Sequence, residues 1–136
     1  MAEAIARHRY SDCMEPSSAG LFALGTIAGQ TRATLIERGI SADGLASKQL
    51  STEALRETDV VINMSGRSGA MLATQGGPRV EDWDVSDPYG SDPDVYRRIC
   101  DDIESRLESF AEELRAARKA RRPSARRAPG RKRRGD

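Results

Sequence analysis

The clearest periodicity lies in the last third of the chain. Tyr96, Ile99, Ile103, Leu107, Phe110 and Leu114 recur every three or four residues, which is one apolar stripe of an amphipathic helix. Pro93 suits a first turn, so the pattern predicts a helix from Ser91 or Asp92 to about Arg118, its stripe against a core. Asp59-Val60-Val61-Ile62-Asn63-Met64 is different. It is a continuous β-branched run, the kind buried in parallel sheets. A second strand is predicted over 80–85, which carries Trp83, and residues 16–22 read as a turn followed by a third, short strand. Helices are predicted between them. One covers 2–10, with Ile5 and Ala6 apolar. Another covers 26–38 and buries Ile27, Thr31, Leu35 and Ile36, with Gly39 suited to the position just past its end. A short helix over 51–56 has Ser51 as its N-cap, and a shorter one covers 70–73.

Helices alternating with strands predict an α/β fold, a small doubly wound parallel sheet with helices on both faces. Such folds open with a strand that becomes central, whereas this chain opens in a helix. The first, central strand is therefore expected to be missing.

Charge divides the chain. Its 136 residues carry a net charge of +1, but residues 1–114 hold 11 basic and 20 acidic side chains and residues 115–136 hold 11 basic and one acidic. The expectation is an acidic domain over 1–118 and a basic, disordered tail over 119–136. No large apolar residue follows Leu114, so the tail cannot bury enough surface to offset its chain entropy. It is read first as a solubilising, low-complexity terminus, with weak, salt-sensitive contact with nucleic acid or another polyanion as the less favoured, functional reading. No run of 18 apolar residues spans a membrane, and the N-terminus lacks the apolar stretch of a secretory signal. Two cysteines, Cys13 and Cys100, make no disulfide framework, which fits a cytoplasmic location. The single histidine, His8, removes most histidine-based metal sites. No metal and no cofactor are expected.

Three stretches invite chemistry. Asp84-Val85-Ser86-Asp87-Pro88-Tyr89-Gly90 lies where a strand ends, and ligands in open α/β sheets bind at the carboxyl ends of strands. Pro88 keeps Asp87 out of helical geometry, so its carboxyl can project into a crevice; the same residues are also ordinary turn chemistry. Ser65-Gly66-Arg67-Ser68-Gly69 follows a strand and is read as a turn, with an anion cradle of backbone amides as the less favoured reading. Cys100 and Arg106 formally satisfy Cys-x5-Arg. That match is a decoy, because it lies within a helix, lacks glycine and sets three acids beside the thiol.

The order of segments adds information. Met1-Ala2-Glu3-Ala4-Ile5, Ser18-Ala19-Gly20, Ser47-Lys48-Gln49-Leu50, residues 59–64 and Asp87-Pro88-Tyr89-Gly90 together resemble the low molecular weight protein tyrosine phosphatase family, which has arsenate reductase relatives. The likeness spans about residues 1–114. It implies hydrolysis of a phosphotyrosine protein or a small phosphomonoester through a cysteinyl-phosphate. By the same resemblance Asp87 is the general acid, Tyr89 walls the substrate cleft and Ser18 supports the phosphate loop. Leu45 stands where relatives often have histidine. The family's Cys-x5-Arg-Ser loop precedes the Ala-Glu-Ala segment, so neither it nor the strand before it falls within this chain. No nucleophile is expected here, and the 136-residue chain is expected to be inactive. Two other readings stand beside this one: a non-catalytic remnant that binds polyanions, and an arsenate-reducing relative.

Overall fold

The computed structural model describes residues 1–21, 29–73, 76–88 and 90–121. Helix α1 (Ala2–Arg9) opens the chain, followed by α2 (Gly29–Glu37), α3 (Thr52–Arg56), β1 (Val60–Asn63), a single 3₁₀ turn (Gly69–Met71), β2 (Arg79–Asp82) and the long α4 (Pro93–Arg121). The molecule is α/β. Strands β1 and β2 pair in parallel, with Val60 opposite Arg79 and Asn63 opposite Asp82.

Within residues 16–22, expected to hold a turn and a short third strand, the described residues form one parallel bridge, Gly20 with Gln49. Gly20 N–H donates to the Lys48 carbonyl at 2.7 Å, and Leu50 N–H donates to the Gly20 carbonyl at 2.9 Å. Phe22 and residues 26–28, where the second helix was expected to start, lie outside the described residues. The strand predicted over 80–85 runs from 79 to 82 instead. Beyond it Trp83 is buried, and the Arg106 guanidinium donates to the Asp84 carbonyl at 3.1 Å, drawing the chain towards α4.

The core is built on α4, which packs against α1 and α2. Tyr96, Cys100, Ile103, Leu107, Phe110 and Ala111 are buried on it, the predicted stripe with Ile99 and Leu114 at its half-buried margin. Ile5 from α1, Leu35 from α2, Ile40 and Trp83 complete the cluster. Trp83 meets Phe110 edge to face, ring centroids 6.2 Å apart. Asp92 caps α4 by accepting from the amides of Asp94 and Val95 at 3.1 and 3.2 Å. Ser51 caps α3 by accepting from Ala54 N–H at 3.1 Å.

Helix α2 departs from its predicted face. Ile36 is 63% exposed, and Thr34 is buried beside Leu35. The Thr34 hydroxyl donates to the Gln30 carbonyl at 2.8 Å within the helix, so its burial leaves no polar group unpaired. The helix ends as expected: Gly39 takes φ +73°, while Gly39 N–H donates to Ile36 and Ile40 N–H to Leu35, both at 2.9 Å.

Strand β1 is less enclosed than a continuous apolar run implies. Val60, Val61 and Ile62 are half-buried, and only Asn63 is buried. Arg79 N–H donates to the Asp59 carbonyl and Trp83 N–H to the Asn63 carbonyl. Backbone groups alternate sides along a strand, so those of Val60 and Ile62 point away from β2. Among the described residues no strand pairs with that edge. No described helix is long and apolar enough to cross a membrane.

Candidate functional site

Because β1 and β2 are parallel, the loops that follow them leave from the same end of the sheet. Residues 65–68 follow β1, and residues 83–88 follow β2. Asn63, the last residue of β1, ties the two together. Its side-chain amide donates to the Arg67 carbonyl at 2.7 Å and to Asp82 Oδ1 at 2.8 Å. Its carbonyl oxygen accepts from Ser65 Oγ at 2.7 Å and from Ser65 N–H at 3.2 Å. A buried asparagine with its donors and acceptor all engaged fixes where both loops begin.

The stretch from Ser65 to Gly69 is a turn. Gly66 takes φ +83°, and the local amides serve local acceptors. Ser65 N–H goes to Asn63, Arg67 N–H to Ser65 Oγ at 3.2 Å, and Gly69 N–H to Asp82 Oδ2 at 3.4 Å. Ala70 N–H goes to Ser68 Oγ at 3.2 Å. An anion cradle needs convergent amides without acceptors, and these have acceptors. The Asp82 carboxylate beside Gly69 would also repel an anion.

Asp87 lies five residues past the end of β2 and six before α4, exposed and outside any helix or strand. Tyr89, expected to wall the same cleft, lies outside the described residues. Ser18 stands on a separate support. Its hydroxyl donates to Glu3 Oε1 at 2.5 Å. The Glu3 side chain is 2% exposed and also receives the Arg7 guanidinium. Leu45 is half-buried and packs against the core. His8 is on the exposed side of α1.

Neither thiol is activated. Cys100 is fully buried on α4. Burial is the main influence raising its thiol above the ordinary cysteine value, with Glu104 and Asp101 adding to it against the pull of Arg38. Cys13, half-buried with Sγ 3.6 Å from the Tyr10 carbonyl, is raised by burial and then by Asp12. Thiolates are the reactive form, so both shifts suppress nucleophilicity. Among the described residues no cluster of histidine, cysteine and carboxylate side chains could hold a metal ion.

Sequence reasoning passed over two organising residues, Asn63 and Glu3. Their signal was a polar residue closing an apolar strand in one case and a carboxylate inside an apolar helix start, Ala2-Glu3-Ala4-Ile5, in the other.

Comparison with known proteins agrees with this architecture. Residues 1–120 match the family model described as low molecular weight phosphotyrosine protein phosphatase. An arsenate reductase of Halalkalibacterium halodurans is 29% identical over 119 residues, covering 82% of this chain and 85% of that protein. Among solved structures, the YwlE arginine phosphatase from Geobacillus stearothermophilus superposes with a TM-score of 0.75 at 25% identity, covering 90% of this chain and 88% of that one. An arsenate reductase in its phosphate-binding state gives a TM-score of 0.72 at 25% identity, covering 83% and 86%.

Proposed function

The chain belongs to the low molecular weight phosphotyrosine protein phosphatase family, and on that premise we propose that it is the scaffold and general-acid portion of a phosphatase for phosphotyrosine or a similar phosphomonoester. The reaction runs through a cysteinyl-phosphate. A thiolate attacks phosphorus, the bond from phosphorus to the leaving oxygen breaks, and Asp87 delivers a proton to that oxygen. The Asp87 carboxylate then takes a proton from the water that attacks the phosphocysteine, the phosphorus–sulfur bond breaks, and inorganic phosphate leaves as the thiolate is regenerated. Tyr89 walls the cleft, and Ser18 supports the phosphate-binding loop.

The observation that carries this reading is the placement of Asp87. It is exposed, just past the carboxyl end of β2 and held beside Pro88, where a donor would face a phosphate at the sheet's end.

The nucleophile comes from outside residues 1–136. Supporting this, Cys13 and Cys100 both have thiols raised by burial, and the backbone of Val60 and Ile62 faces an edge that no described strand pairs. A strand with a Cys-x5-Arg-Ser loop at its carboxyl end fits that edge and would set the thiolate at the end of the sheet where Asp87 stands. The phosphatase arm is favoured over arsenate reduction, because residues 59–80 contain no cysteine to relay a disulfide.

The test starts from the reading frame. In-frame codons before Met1 should encode an apolar strand and then Cys-x5-Arg-Ser. The extended product should hydrolyse aryl phosphates, and residues 1–136 alone should not. In the extended product, Asp87→Ala should lower turnover of phenyl phosphate by about 10²–10⁴-fold. The loss should be smaller for p-nitrophenyl phosphate, whose leaving group needs less protonation. A stop codon directly before Met1, with no such stretch, would favour a non-catalytic remnant. Hydrolysis by residues 1–136 that disappears in Cys100→Ser would overturn the reading of that thiol.

A further inference from the structure

We propose that Arg106, on α4, is a positioning residue for the reaction: it holds the loop that carries Asp87 by gripping the Asp84 carbonyl. This rests on Asp87 being the general acid, and it names the group that aims it. The ladder between β1 and β2 ends where Trp83 N–H reaches the Asn63 carbonyl at 2.9 Å. The Asp84 carbonyl lies beyond it, and a backbone carbonyl past the end of a strand needs a donor from elsewhere. The Arg106 guanidinium supplies one at 3.1 Å, from 22 residues further along the chain.

The donor is itself aimed. Arg106 Nε donates to Asp102 Oδ1 at 2.9 Å, one turn back on α4. Alone, such a pair would be ordinary helix-surface chemistry. Here it orients a planar guanidinium whose donors point in set directions, and a terminal nitrogen is left turned towards Asp84. The helix beneath is firmly seated, with Ile103 and Leu107 buried. Trp83, the neighbour of Asp84, is buried against Phe110 of the same helix.

Asp87 stands three residues past this anchor. Between them Val85 packs against the core, and its N–H donates to the Trp83 carbonyl at 3.0 Å. On the far side the Pro88 carbonyl accepts from Ser91 N–H at 2.8 Å. The loop is thus tied on both sides of Asp87, and Arg106 makes the upstream tie. Three residues span at most about 10 Å, too short a run to absorb a shift at Asp84. A misplacement of about 1 Å can cost a reaction about 10²-fold. The arginine of the decoy Cys-x5-Arg match therefore acts on the acid's loop and not on phosphate. Its side chain is 34% exposed and borders an open cleft of about 240 Å³ with Ser109 and Glu113, so truncating it leaves no buried void.

Two experiments test this. In the extended product, Arg106→Ala should lower kcat for phenyl phosphate by about 10–10²-fold with KM unchanged, and less for p-nitrophenyl phosphate. Arg106→Lys, which keeps a donor but not the fork, should recover part of the loss. Beside Asp87→Ala, the same Arg106→Ala change should cost almost nothing, because a residue that acts through Asp87 has nothing left to position. Equal losses for the two phosphates, or a loss retained in full beside Asp87→Ala, would overturn the proposal. Full turnover of phenyl phosphate by Asp87→Ala would overturn the general-acid role itself. The second experiment needs no turnover and uses residues 1–136. Nitrogen-15 relaxation should show the backbone order parameters of Val85, Ser86 and Asp87 falling in Arg106→Ala from about 0.85 towards 0.6, with those of β1 unchanged. Order parameters at 85–87 indifferent to the substitution would show that Arg106 does not hold the loop.

Discussion

The Ser18 hydroxyl is 2.5 Å from the Glu3 carboxylate, across fifteen residues of sequence, and joins α1 to the segment that leads into the Gly20 bridge. Glu3 is buried and also holds Arg7, so this pair secures the approach to one edge of the structure. Replacing Glu3 by alanine should destabilise the fold by about 1.5–3 kcal/mol, the range for a hydrogen bond to a charged group. Ser18→Ala should cost about 0.5–1.5 kcal/mol, and Glu3→Gln should recover part of the loss through its carbonyl oxygen. Urea unfolding of the single and double variants checks this, because strictly additive losses would mean that the two side chains are not coupled.

Acid should loosen the anchor of α4 before it affects the core. Hydrogen bonding from Arg115 is the main cause holding Asp12 below the ordinary carboxylate range, and Arg97 does the same for Glu37. Both groups have a lower pKa folded than unfolded. Their contribution is therefore present at neutral pH and is lost as pH falls through the depressed folded values. Carboxyl NMR titration should find Asp12 below its ordinary value, and Arg115→Ala should return it. An Asp12 titration indifferent to that substitution would refute the pairing.

Gly69 has no room for a side chain. A methyl group there would strike Asp82 Oδ1 and come within 2.6 Å of Val80 Cγ1. Gly69→Ala should cost about 1–3 kcal/mol by overpacking, whereas Ala70→Ser, one residue on and exposed, should stay within about 0.5 kcal/mol. Equal thermal midpoints for the two variants would contradict the packing of the 3₁₀ turn on β2.

Thiol labelling separates the two cysteines. Under native conditions a disulfide reagent should modify Cys13 slowly and Cys100 only as the chain unfolds, since Cys100 is fully buried. Burial raises the Cys100 pKa, so its contribution to stability is complete below the unfolded thiol value, about 8.5, and declines as pH rises beyond it. Equal native labelling rates at the two positions would rule this out.

The readable parts of the fold were those set by local rules. The α4 stripe, the Ser51 cap and the Gly39 terminus each follow from spacing or backbone preference within a few residues. The missed parts depend on distant partners. Periodicity places Ile36 inside, but the face that α2 turns to α4 buries Thr34 beside the expected Leu35 and leaves Ile36 exposed. The strand run over 59–64 suggests complete burial, yet enclosure depends on a neighbour on each side, and among the described residues β1 pairs with β2 alone. Asn63 and Glu3 are buried polar residues whose partners lie up to 19 residues away. A hydrophobic pattern counts such residues as outward-facing.

The packing of α1 on α4 also governs when this domain can form. Ile5 shares a cluster with Ile103, Leu107 and Phe110, residues the ribosome makes about a hundred positions later. During synthesis the first helix has no permanent surface to rest on, and contacts so far apart in the chain slow folding. The domain can therefore complete its core only after its last helix has emerged. Until then its nascent apolar segments stay exposed, the state in which chains are prone to aggregate.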